Sequence, residues 1–380
     1  MNILFARWLV PAEYGLFVVS FSAYLFMTVI HWGAFLEPLL ILSAQIDGDR
    51  RRPYVHALGK IHLLLIGTAI TIASIGFGVS SYFGHINIGY GLIGAGVGGT
   101  FMVTLLTARR LCLVFLSPKV SAIIGLLYFI GVLSTGSLID RSQLTWFTLW
   151  EITGGWSLIC SFIIFWLVRR NTNGSVPYPL RQLLAFQSQY APGAIISSAC
   201  NWISFDGVLL LLSSMAGLAA VAETKAVFTI ANPLLQINLV MHASWLVMFA
   251  EQNGRIKILR IMGLYSAGTV VAVLLLGSIA RPLTDYLYAG RYIDASWQLP
   301  FFVAALGLSG LASILTSLFK SQGRLWYGFC PNIVGAIVAV AGAFIFIPTY
   351  GQPGAIYSIL VGCCTTLGLS AVLYRFAGER

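Results

Sequence analysis

The sequence predicts an all-α integral membrane protein built from about a dozen helices, with no sizeable water-soluble domain. Three observations carry this. Of its 380 residues, 58% are hydrophobic and only 9% charged, whereas soluble domains carry about 25% charged residues. Eleven stretches are long and apolar enough to cross a bilayer core, which takes about 20 residues as a helix. Basic residues concentrate in every second loop between them. A soluble fold of this length has no interior able to hide so much apolar side chain, so lipid is the solvent that fits.

The predicted spans are 14–43, 61–84, 87–107, 120–138, 145–168, 190–215, 218–249, 261–280, 297–318, 326–348 and 353–374. The first and seventh are long, which predicts tilt or a kink. Glycine recurs inside them, as in GLIGAGVGGT (91–100), where small residues let membrane helices pack closely. The longest polar stretches, 45–60 and 169–189, are too short to bury a core of their own. The opening MNILFARWLV would form about 15 Å of helix, half a bilayer core. It lacks a signal-peptide cleavage site and reads as the end of a truncated first helix whose beginning is missing.

The net charge of +10 would suggest a nucleic-acid partner in a soluble protein. Here the cations lie between apolar runs, so they read as topology signals and lipid-headgroup contacts, with no nucleic acid. Seventeen of the 22 basic residues fall in alternate loops, beginning with the loop that holds Arg50, Arg51, Arg52 and Lys60; the other five are Arg7, Arg141, Lys225, Arg281 and Arg291. The positive-inside rule makes those loops and the C-terminus cytoplasmic. The segment around 11–13 then lies outside. Six cysteines sit in or beside apolar segments with no CxxC or Cys/His spacing, so no metal and no cofactor is expected.

The chain resembles itself weakly. At an offset of 214, RLCLVFLSPKVSAI (110–123) falls on RLWYGFCPNIVGAI (324–337). Near an offset of 210, AEYGLFVVSFSAYL (12–25) falls on AETKAVFTIANPLL (222–235). Two halves of six helices follow, related by a parallel pseudo-two-fold repeat about the membrane normal. The expected division is an N-terminal lobe at 1–170 (the stub plus helices 2–6), a cytoplasmic linker at 171–189 and a C-terminal lobe at 190–380 (helices 7–12). Solute held between two lobes that rock against each other is the logic of a transporter.

Several motifs resemble one family. ARWLVPAEYGLF (6–17) is similar to the Ala-Arg-x-Leu-x-Pro-x-Glu-Tyr-Gly-x-Phe at the first outer loop of the polysaccharide flippases. IPTYGQPGAIYSIL (347–360) matches their Ile-Pro-x-Tyr-Gly-x-x-Gly-Ala pattern, and segments 180–234 and 286–325 resemble them more loosely. These proteins form the polysaccharide-exporter branch of the multidrug/oligosaccharidyl-lipid/polysaccharide superfamily. The resemblance implies a V-shaped exporter fold of two six-helix lobes in a bacterial inner membrane. It implies movement of undecaprenyl-diphosphate-linked oligosaccharide from the cytoplasmic to the outer leaflet, for O-antigen, capsule or exopolysaccharide, with membrane lipids, a polysaccharide polymerase and glycosyltransferases as partners. The chain departs from the pattern in its short first helix and in Glu223-Thr224-Lys225, where many relatives read Leu-Tyr-Arg.

Flipping breaks no bond, so no nucleophile or general base is required and no enzyme is expected. What the cargo requires is a polar cavity for sugar and cations for the diphosphate. Buried charge is costly in a membrane and therefore marks candidates. Asp206 and Lys225 each lie about 9 or 10 positions from a turn near 216, roughly 14 Å along their helices. They predict either a diphosphate-binding cation tuned by a carboxylate, or a fixed salt bridge. Arg7 either snorkels to headgroups or meets cargo. His31 and Glu37 lie inside the first span, where a histidine is a hydrogen-bonded interior residue or a protonation site. Glu151 follows Trp146 and Trp150, expected at an outer aromatic belt. Arg291 is expected in an outer loop facing sugar.

Other transporter types and an enzyme are the competing readings at this level. A major-facilitator-type transporter also has a six-plus-six repeat, but IDGDRRRPYV (46–55) lacks the spaced glycine of its signature loop; a drug or cation exporter of the same superfamily would share the fold. A membrane polymerase would need a large outer loop, and the longest outer segment, 281–298, carries no paired-carboxylate motif.

Overall fold

The computed structural model describes residues 2–36, 51–84, 86–140, 143–171, 180–251, 255–322 and 324–377. Among them there is no strand, and eleven helices are long and apolar enough to cross a membrane. The protein is an all-α integral membrane fold, as composition and hydropathy predict.

The N-terminal stub is α1 (Asn2–Trp8), followed by α2 (Pro11–His31), which continues as a π-helical turn at Trp32–Leu36. Next come α3 (Arg51–Tyr82) and α4 (Ile86–Ile93). A π turn at Gly94–Gly98 leads from α4 into α5 (Gly99–Phe115). Helices α6 (Pro118–Leu138) and α7 (Trp146–Asn171) complete the first half. The second half opens with α8 (Leu180–Trp202), a π turn at Ile203–Gly207 and α9 (Val208–Ala216). It continues through α10 (Leu218–Glu251), α11 (Arg255–Ser278), α12 (Ala280–Tyr288) and a 3-10 turn at Ile293–Gln298. Helices α13 (Leu299–Ser321), α14 (Leu325–Tyr350) and α15 (Gln352–Ala377) close the chain.

Local chemistry explains these boundaries. Ser117 caps α6, its Oγ accepting the Val120 N–H at 3.4 Å with Pro118 in the first turn, a position where the missing proline N–H costs nothing. Prolines sit inside α8, α10 and α14 (Pro192, Pro233, Pro331 and Pro348), a residue that membrane helices accommodate more readily than soluble ones. Ser and Thr hydroxyls that would otherwise sit unpaired in hydrocarbon donate one turn back. Along α7, Thr153 donates to Leu149 O at 2.7 Å, Ser157 to Thr153 O at 2.7 Å and Ser161 to Ser157 O at 2.6 Å.

The chain forms two compact units, one comprising residues 19–198 and the other residues 2–18 with 199–380. The stub that the sequence reading attached to the N-terminal lobe therefore packs with the second half. Phe5, Ala6 and Leu9 are buried there, and α1 lies against α10 and α12. Most of the linker expected at 171–189 lies outside the described residues or within α8.

In the first unit, α5 packs along α7, and α3 along α4. Its centre is Trp150, 2% exposed, whose Nε1 donates to Ser20 Oγ at 2.9 Å and whose ring lies beside Phe21 and Tyr24. Trp146 is buried too. This corrects the expectation of an outer aromatic belt at Trp146 and Trp150: both rings serve the interior, and the groove left by the Gly94–Gly98 turn receives Trp150.

In the second unit, α14 and α15 form a long hairpin, and α13 packs against α10, α11 and α15. The two family-like motifs explain themselves here. Gly351 holds φ +64 in the α14–α15 turn, a conformation that favours glycine. Gly15 lets α2 approach the backbone of Leu218 so closely that a Cβ would stand 2.5 Å from its carbonyl oxygen.

Candidate functional site

Within the second unit, Asp206 sits in the π turn between α8 and α9, and Lys225 lies two turns into α10. The glycine turn at 217 folds the two helices side by side and brings the pair together. Lys225 Nζ donates to Asp206 Oδ1 at 2.6 Å, with the side chains 3% and 13% exposed. Nζ also lies 4.9 Å from the centre of the Phe228 ring, a favourable cation–π position. Lys225 thus has a counter-ion and an aromatic face, and both charges are withdrawn from solvent. A π turn re-aims a side chain by adding one residue to the helix, and Asp206 is the side chain re-aimed here.

Just before Lys225 on α10, Glu223 begins a polar chain that sequence reasoning noted only as a departure from a pattern. Gln352 Nε2 donates to Glu223 Oε2 at 2.6 Å, and Gln298 Nε2 donates to Gln352 Oε1 at 2.9 Å. These residues come from α10, α15 and the 3-10 turn before α13. Only tertiary folding places them together; no local spacing announces them. Gln298 is fully buried, and its Oε1 has no hydrogen-bond partner.

Arg7 and Arg291 meet in the same unit. Arg291 Nη1 donates to Leu9 O at 2.7 Å and to Arg7 O at 3.3 Å. The Arg291 guanidinium therefore satisfies carbonyls at the C-terminal end of α1, where a cation is favoured by the helix dipole. Tyr292 O–H donates to Ala6 O at 3.4 Å. Burial pushes the Tyr292 phenol up to about 12; the neighbouring Arg291 pulls it down and Glu223 adds to the rise. Tyr288 is likewise raised by burial, and its O–H donates to Ala226 O at 2.6 Å. Both phenols are neutral donors at physiological pH. The Arg7 side chain itself is exposed.

In the first unit, His31 closes α2 and meets His62 of α3, a residue that sequence reasoning missed because nothing links the two positions locally. The rings approach at 3.0 Å, His31 Nε2 to His62 Nδ1, and His62 Nε2 lies 3.2 Å from Thr104 Oγ1. The proton positions follow from Thr104. Its single hydroxyl proton is donated to Thr100 O at 2.7 Å, so His62 Nε2 must be the donor to Thr104 and His62 Nδ1 the acceptor from His31 Nε2–H. His31 Nδ1 is then a bare acceptor, buried without a partner. Glu37 lies outside the described residues. Glu151 is exposed on α7 and joins none of these clusters. Groups of three or more metal-ligating side chains are absent among the described residues.

The histidine pair predicts a stability signature. His62→Ala is expected to lower stability by about 1–3 kcal/mol, because it leaves the buried His31 N–H without its acceptor. The double variant His31→Phe, His62→Leu is expected to recover most of that loss. Thermal unfolding midpoints in detergent decide it; additive losses in the double variant would show that the rings are not coupled.

No protein-family profile matches the sequence, and no curated protein matches it. Solved structures do. The chain is similar to an inward-facing multidrug resistance MATE family transporter of the MOP superfamily, with TM-score 0.75 and 17% identity over 100% of this chain and 92% of that one. It is similar to the lipid II flippase MurJ in an inward closed conformation, with TM-score 0.70 and 13% identity over 98% of this chain and 84% of that one. A mutant of the Vibrio cholerae MATE transporter VcmN aligns with TM-score 0.63 and 14% identity over 99% of this chain and 91% of that one. At these identities the likeness establishes the fold.

Proposed function

We propose that this chain is a membrane transporter that flips an undecaprenyl-diphosphate-linked oligosaccharide from the cytoplasmic to the outer leaflet of a bacterial inner membrane, feeding surface polysaccharide synthesis. The observation that carries the reading is that its fold matches, over 98% of the chain, the fold of a lipid II flippase. The resemblance of ARWLVPAEYGLF and IPTYGQPGAI to polysaccharide flippases narrows the cargo to a lipid-linked glycan. Pathway partners would be the polymerase and glycosyltransferases that consume and supply that glycan. The C-terminus is cytoplasmic in this topology, following the basic loops.

A second reading has its own support. The likeness to a multidrug transporter, at TM-score 0.75, fits a drug or cation exporter equally well by fold. Reconstitution separates them. Purified protein in liposomes is expected to move a fluorescent undecaprenyl-diphosphate oligosaccharide to the opposite leaflet at least about tenfold faster than protein-free liposomes, about a 1.4 kcal/mol difference in barrier. It is expected to leave ethidium efflux at the protein-free rate. Efflux of the dye without movement of the glycolipid would establish the exporter instead.

In this reading the cargo head meets polar side chains, and Asp206, Lys225, Arg7, His31, Glu37, Glu151 and Arg291 are the candidates put forward for that contact. Lys225 and Arg291 already hold protein partners, so any contact of theirs with cargo requires an exchange of partners.

A further inference from the structure

The second unit contains a cavity of about 510 Å³ between α10, α11 and α13, within the roughly 300–1,000 Å³ range of ligand sites. We infer that it binds the hydrocarbon tail of a polyprenyl diphosphate at the cytoplasmic leaflet, with the anionic head at Arg260; this rests on the flippase reading above.

The lining sets the chemistry. Apart from Asn238, Tyr265, Thr269 and the indole N–H of Trp245 it is apolar or glycine, and the first three are already engaged. The Tyr265 O–H donates to Asn238 Oδ1. Asn238 Nδ2 donates to Leu306 O at 3.0 Å, and Thr269 Oγ1 donates to Tyr265 O at 2.9 Å. A polar ligand would have to be stripped of water and would find few free partners, at a cost of kcal/mol per group. A hydrocarbon chain loses nothing there.

The position sets the source. Two lining residues, Ile237 and Leu264, remain 50% and 68% exposed, an open apolar mouth better suited to hydrocarbon than to water. The lining on α11 begins at Ile261, one residue after Arg260 in the basic stretch RIKILR that opens this helix. The positive-inside pattern puts that end in the cytoplasm. Arg260 and Leu264 are one turn apart on the same face, and Arg260 is exposed. A chain leaving lipid for an apolar pocket gains no hydrophobic energy, since lipid is as apolar as the pocket. Selection must therefore come from the head, and a guanidinium beside the mouth matches a diphosphate in charge and fork geometry.

The test uses the full chain in phosphatidylcholine nanodiscs and a polyprenyl diphosphate carrying a photoreactive diazirine in its chain. Gly268 lines the cavity and an ideal Cβ there meets nothing within 4 Å, so Gly268→Phe adds its bulk at the lining from an open position. Gly263 is equally open and exposed but lies off the lining, which makes Gly263→Phe the control of equal bulk on the same helix. Crosslinks are expected on α10, α11 and α13. Gly268→Phe should reduce them at least about tenfold, an effect of about 1.4 kcal/mol, and Gly263→Phe should leave them unchanged. Arg260→Gln should reduce labelling by the diphosphate probe about fivefold, in the range of an exposed ion pair, and leave labelling by a neutral polyprenol probe unchanged. A phosphatidylcholine bearing the diazirine in its acyl chain should label the cavity only until excess polyprenyl diphosphate displaces it.

Specific labelling outside the cavity, indifferent to Gly268→Phe, would overturn this inference and leave the flippase reading standing. An acyl-chain label that resists displacement would assign the cavity to structural lipid and overturn it as well. No specific labelling anywhere on the protein would overturn both.

Discussion

Lys225→Ala is expected to lower stability by about 3–5 kcal/mol and to deplete the protein from the membrane. That is the loss seen when one partner of a buried ion pair is removed and the other is left uncompensated. The geometry supports a value in that range. Lys225 is 3% exposed and its Nζ is 2.6 Å from Asp206 Oδ1, so its removal strands a carboxylate in a site that is nearly dry. Asp206→Asn combined with Lys225→Met removes both charges and keeps similar volumes, so most of the stability should return. Transport normalised to inserted protein then assigns the role. If the pair only neutralises itself, the double variant transports at the native rate. If Lys225 exchanges Asp206 for the cargo diphosphate during transport, the double variant is abundant and inactive. The closed pair and the Phe228 face over Nζ favour the first outcome. Abundance restored without transport is the result that would place Lys225 on the cargo.

Trp150→Ala is the second large expected effect, about 3 kcal/mol. Core Trp→Ala substitutions in soluble proteins cost about 3–5 kcal/mol. The lower end applies because an unfolded membrane helix keeps its tryptophan in lipid, so the packing loss remains but little transfer energy is forfeited. The bond from Trp150 Nε1 to Ser20 Oγ, at 2.9 Å, adds about 1 kcal/mol to what is lost. Trp166→Ala is the control, since that ring is 53% exposed. Thermal unfolding of both variants in one detergent compares them. Equal, small shifts would restore the belt reading of Trp150 and contradict its packing against Gly94 and Gly98.

Much of this architecture was legible in sequence because the bilayer imposes a simple rule. Every backbone group in hydrocarbon must pair internally, so an apolar run of sufficient length is a helix. Eleven apolar runs are legible, and among the described residues eleven helices are long and apolar enough to cross a membrane. Lys225 and Asp206 were legible for the same reason, since charge in an apolar run is conspicuous, and counting from a turn placed them at one depth. The two glycine-containing motifs were recognisable as patterns, but their physical cause was not. Gly351 serves a turn, and Gly15 serves a contact with Leu218, far away along the chain.

What tertiary structure alone decided is which helix faces meet. Hydropathy is nearly uniform around a helix immersed in lipid and buried against its neighbours, so periodicity carries little information about its partners. Hence His62 is a partner of His31 only because α3 sets the two rings together, and the Glu223–Gln352–Gln298 chain exists only where α10, α15 and the turn before α13 converge. Trp150 reads the same in sequence whether it faces headgroups or glycine backbones. Residues 2–18 belong by position to the first half and by packing to the second. The sequence by itself determined that this chain lives in lipid, how many times it can cross and where charge is costly. Long-range packing, which lipid neither imposes nor forbids, determined which of those costly groups neutralise one another.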